Sequence, residues 1–114
     1  MFKPDKRLQR WYIEYNKKYF ENKLPAGIEV GWDVDEPDAA KLHAVIFQEE
    51  EDGVNMTIGN IRLDPRKHKG STDARFSLLH EMCHLRLAPW NKHGKRFNNE
   101  MRRLAVEGAF DDLW

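Results

Sequence analysis

Between Leu8 and Phe20 the apolar and aromatic positions are Leu8, Trp11, Tyr12, Tyr15, Tyr19 and Phe20, at spacings of 3, 1, 3, 4 and 1. That is the rhythm of one face of an amphipathic helix. The pattern predicts a helix from Pro4-Asp5 to about Phe20, with Pro25 and Gly27 marking the turn that follows. Ile28, Val30, Trp32 and Val34 then alternate with Glu29, Gly31 and Asp33, the period of a half-buried strand. Leu42 to Gln48 reads as a second strand. Val54 to Leu63 reads as a third, with Met56, Ile58 and Ile61 inward and a bend at Gly59. Asp35-Glu36-Pro37-Asp38 is an acidic turn, and Glu49-Glu50-Glu51-Asp52-Gly53 an acidic hairpin loop.

Further along, Phe76, Leu79, Cys83 and Leu87 return to helical spacing. Ser71 or Thr72 can cap this helix, Asp73 suits its first turn, and Pro89 stops it. A last helix is expected from Gly94 or Lys95 to about Val106, with Phe97, Met101, Leu104 and Ala105 inward. Gly108 ends it, and Phe110 and Trp114 can dock the tail. The expected fold class is α+β: an N-terminal helix, a three-stranded sheet leaning antiparallel, and two C-terminal helices, as one domain over residues 1–114.

Composition narrows the class. A chain of 114 residues with 40% apolar content can close one core and not two. No apolar run approaches the ~18 residues of a membrane span, and the N-terminus lacks the apolar stretch of a signal peptide. A single cysteine forms no internal disulfide, which fits a reducing compartment, cytoplasmic or, in a eukaryote, nuclear, and not secretion; a monomer is also expected. The net charge of zero hides an asymmetry. Residues 1–61 hold 8 Lys/Arg and 12 Asp/Glu, a balance of −4, and residues 62–114 hold 11 and 7, a balance of +4.

The chemistry concentrates in His80-Glu81-Met82-Cys83-His84. On a helix, two histidines four apart project from one face about one turn apart, which suits two ligands of one zinc ion. Glu81 is placed to act on water at such a metal without ligating it. A catalytic zinc takes three protein ligands, and the third is expected from His93: Trp90 to Lys92 can fold the chain back, and Gly94 lets it turn. His68, in the loop before the helix, and Glu100 are the alternatives. Two core histidines with hydrogen-bonded neighbours would be the bland explanation, but Glu between them has no use there. Cys83 reads as a small packing residue.

These residues resemble a family. HEMCH, a short spacer and HGKRFNNEM look like the active-site stretch of SprT-like metalloproteases, the group containing Spartan. The opening helix ending in Asn16-Lys17-Lys18-Tyr19-Phe20, then Leu24-Pro25, is similar to theirs, as is Ile61-Arg62-Leu63 before the active-site helix. The resemblance implies a minimal zincin-like fold, with Zn²⁺ held by His80, His84 and His93 and Glu81 as the general base of peptide hydrolysis. It also implies protein or peptide substrates bound or crosslinked to DNA, with DNA-dependent activity. No cysteine-based zinc ribbon is present, so DNA contact would fall on Arg66, Lys67, Lys69, Lys92, Lys95, Arg96, Arg102 and Arg103, and be phosphate-directed, towards single-stranded or distorted DNA. Two other readings compete: a zinc peptidase with no DNA role, and a nucleic-acid-binding module with structural zinc. A fourth ligand from His68 would favour the last. An exposed strand at Leu42 to Gln48 or Val54 to Ile58 could take substrate as an added strand.

Overall fold

A computed structural model describes residues 1–35, 40–49, 54–87 and 93–111. Strand β1 is Phe2–Pro4 and helix α1 Lys6–Tyr19; strands β2, β3 and β4 are Ile28–Asp33, Ala40–Glu49 and Val54–Leu63; helices α2 and α3 are Ser71–Arg86 and Lys95–Val106. A short 3-10 turn, Pro65–Lys67, links β4 to α2. The architecture is α+β, as expected.

The four strands lie in the order β1-β2-β4-β3. Two expectations about the sheet are corrected. It has four strands and not three, and it is mixed. β4 inserts between β2 and β3, pairing antiparallel with β3 and parallel with β2. β1 escapes the sequence pattern because three residues ending in proline are too short to alternate. It is held from outside, antiparallel to β2 at Lys3↔Trp32 and Pro4↔Gly31. Gly31 is required there, because a Cβ would meet the Lys3 carbonyl oxygen at 2.1 Å.

The registers Val30↔Ile61, Leu42↔Ile61 and Ala40↔Leu63 put these apolar residues on one sheet face. α1 packs there against β2, and α2 against β3, β4, α1 and α3. α1 is capped by Asp5, whose carboxylate accepts from the Leu8 N–H at 2.9 Å. α2 runs through the core with Ala74, Leu78, Leu79, Met82, Cys83 and Leu85 buried, so it is apolar on more than one side. A helix of that kind has elements packed around it.

Several local expectations also change. Ser71 and Thr72 do not cap α2: Gly70 is the cap residue, without a side-chain bond. Val34, expected inward, is exposed. Asp33, expected outward, is buried, because Arg62 Nη1 donates to it at 2.9 Å and the amine of Met1 at 2.9 Å. Ala105 points to solvent, while Phe97 and Leu104 are buried as expected. Glu36–Asp38, Glu50–Gly53, Pro89–Lys92 and Trp114 lie outside the described residues, as do the side chains of Met56 and Ile58.

Candidate metal centre

α2 carries His80 and His84 one turn apart on the side facing the start of α3. His93 directly precedes Gly94, the N-cap residue of α3. α3 is anchored in the core through Phe97 and Leu104, and this brings the His93 ring back over α2. The Nε2 atoms of His80 and His93 are 3.2 Å apart, and those of His84 and His93 are 2.9 Å apart. The three histidines form a group able to hold a metal ion, the only such group among the described residues.

The donor set fits a cation. A ring nitrogen of a neutral imidazole holds either a proton or a lone pair, never both. The His93 Nε2 therefore has only one proton or one lone pair to offer, and its two neighbours compete for it. A shared cation removes the conflict. Two nitrogens each about 2.0–2.1 Å from one tetrahedral ion stand about 3.3 Å apart, close to the separations here.

The electrostatics agree. Burial, reinforced by His93, lowers the His80 pKa from its ordinary value. Burial lowers that of His84 to about 4, helped by His80, His93 and Lys41 of β3. Both rings are thus neutral at pH 7, the form that ligates metal. The Nδ1 of His84 is buried with no hydrogen-bond partner among the described residues.

Phe97 forms the floor of the cluster. Its ring stacks on His84 at 4.4 Å and lies 4.8 Å from both His80 and His93. Sequence periodicity shows Phe97 only as a core position; its role in orienting three imidazoles appears once α3 is docked. Glu81 is buried, one residue along from His80. Burial pushes the Cys83 thiol up to about 12, consistent with a packing residue.

The alternative ligands are placed elsewhere. His68 Nδ1 is 2.7 Å from the Asp64 carbonyl oxygen and its Nε2 is 2.8 Å from Ser77 Oγ. It therefore ties the 3-10 turn to α2. Glu100 accepts from Arg103 Nη2 at 2.5 Å.

The basic residues singled out in the sequence fall into two groups. Arg66 and Arg103 are held by carboxylates. Arg66 Nη2 donates to the buried Asp64 at 3.0 Å and to the Val34 carbonyl at 2.6 Å. This holds the Asp64 carboxyl at about 2. Arg103 donates to Glu100, to Glu107 at 2.6 Å and to the Tyr19 carbonyl at 2.8 Å. Lys67 lies 4.0 Å from Asp64. Lys69, Lys95, Arg96 and Arg102 are exposed, and Lys92 lies outside the described residues. Among the described residues no helix is long and apolar enough to cross a membrane.

No curated protein and no solved structure matched the chain. A family model for the SprT-like family matches residues 8–111, from the first turn of α1 to beyond the end of α3. With the His-Glu-x-x-His stretch, the returning His93 and α3 all inside that match, the chain belongs to the SprT-like family.

Proposed function

We propose that this domain is a zinc-dependent endopeptidase of zincin-like layout, cutting proteins bound or crosslinked to DNA. The observation that carries the reading is the convergence of three imidazoles, those of His80, His84 and His93, with Glu81 next to His80 in the chain. His80, His84 and His93 would hold Zn²⁺ through Nε2, with Phe97 fixing the ring planes. A zinc ion there supplies Lewis-acid polarisation of a carbonyl and makes water more acidic. Glu81 takes the proton of the attacking water and delivers it to the leaving amine.

β3 is the outer strand of the sheet, on the side opposite β1, and α2 packs against it. A substrate segment added along β3 would run beside the metal helix, held by main-chain hydrogen bonds and not by its sequence. The other candidate, Val54 to Ile58, is the part of β4 that pairs with β3 and lies before the Gly59–Leu63 stretch taken by β2. The structural-zinc reading loses its fourth ligand, because His68 is engaged by Asp64 and Ser77. The lone, buried Cys83 suits a reducing compartment, cytoplasmic or nuclear.

The test is cleavage of a DNA-binding protein by zinc-loaded domain, with and without single-stranded DNA, against Glu81→Ala. The expected outcome is cleavage that requires both DNA and Glu81. Glu81-dependent cleavage indifferent to DNA would leave a general peptidase, and no cleavage despite bound zinc would overturn the catalytic reading.

A further inference from the structure

The charge of the N-terminal half averages out a local excess. Residues 6–19, the whole of α1, contain Lys6, Arg7, Arg10, Lys17 and Lys18 against Glu14 alone, a balance of +4. All five cations are exposed. The apolar side of the helix, Leu8, Tyr12 and Tyr19, is buried in the core, so the exposed side is the basic one.

On that side two guanidinium groups share one indole. The Arg7 Cζ lies 4.8 Å from the Trp11 ring centroid and the Arg75 Cζ, from α2, 5.7 Å. They are therefore within about 10.5 Å of each other. Neither has a carboxylate partner among the described residues, in contrast to Arg62, Arg66 and Arg103. The Nε of Arg75 is buried without a hydrogen-bond partner. Tyr15, half-buried, stands beside Arg75, and Lys18 Nζ lies 5.3 Å over the Tyr19 ring. Two like charges beside one ring, with no carboxylate partner for either among the described residues, leave a positive field interleaved with aromatic rings.

We propose that this face, built from Arg7, Trp11, Tyr15 and Arg75, is a binding site for a single nucleic-acid strand. Phosphates would pair with the guanidinium groups of Arg7 and Arg75, and bases would stack against the part-exposed rings of Trp11 and Tyr15. An anionic membrane is a poorer match, because the apolar side of α1 is buried and cannot enter lipid. Arg75 precedes His80 by five residues, about 140° around the helix. The strand would lie on a different side of α2 from the metal cluster and leave the cleavage face open. The inference rests on the reading that the domain works on nucleic acid, and it moves the contact surface from the α3 and 3-10-turn cations to α1.

The experiment is fluorescence anisotropy of a labelled oligothymidine with the zinc-loaded domain over a range of salt. Arg7→Glu should weaken binding tenfold or more and lower the salt slope by about 0.7 per lost phosphate contact. Lys95→Glu, the same charge change on α3, should leave it within twofold. Zinc content and thermal unfolding of both variants should match the parent, since both side chains are exposed; Arg75→Gln gives a second reading of the site. If Lys95→Glu removes binding and Arg7→Glu does not, the site is overturned while the nucleic-acid reading stands. If the parent binds no oligonucleotide, or only phosphatidylserine vesicles, both fall.

Discussion

Asn16 lies on the inward face of α1, four residues after Tyr12, where periodicity accounts for its burial but not for a polar side chain. Its polar groups are satisfied there because it folds the following turn onto the helix. Its Nδ2 donates to the Leu24 carbonyl at 3.0 Å and its Oδ1 accepts from the Leu24 N–H at 3.1 Å. Asn16→Ala would leave both groups of Leu24 unpaired in the core. The expected loss is about 1–3 kcal/mol in urea unfolding. Asp33 and Asp64 teach the same point. Their burial depends on Arg62 and Arg66, and pairing of that sort cannot be read from an alternating pattern. The histidines were more legible, because four-residue spacing fixes their relative direction on any helix. Their protonation has a testable consequence. His84 titrates near 4 in the folded chain, below its ordinary value of 6.5. Between those values the unfolded chain takes up a proton that the folded chain refuses. Stability of the metal-free protein should therefore fall as pH drops from about 6.5 to about 4. The measurement is Tm across that window, where the parent should fall more steeply than His84→Gln.

At the scale of elements, long periodic segments were readable and short ones were not. α1, α2 and α3 fall within a residue or two of the expected bounds, because each has enough turns for a face to emerge. β1 has too few residues to show a period, and it is defined by its partner. Gly31→Ala tests that dependence. The new Cβ would meet the Lys3 backbone, so β1 should detach while β2, β3 and β4 remain paired. Amide hydrogen exchange should show lost protection at β1 and retained protection at Ile61 and Leu63. Lost protection throughout the sheet would mean that β1 is integral to folding. The parallel pairing of β2 with β4 was also hidden, because alternation reports which face a residue takes and not which strand sits beside it.

The whole molecule brings together what the sequence keeps apart. His80 and His84 could be paired by spacing, but His93 joins them only because α3 docks through Phe97 and Leu104. Net charge gave the opposite lesson: averaging over halves of the chain concealed the +4 of α1. The central claim is that three imidazoles on α2 and at the start of α3 hold one zinc ion beside a glutamate that does not ligate it. Native mass spectrometry with zinc titration addresses this most directly. The parent and Glu81→Ala should each carry one zinc with similar affinity, and His93→Ala should lose affinity by orders of magnitude. Full zinc affinity in His93→Ala, or its loss in Glu81→Ala, would contradict the account.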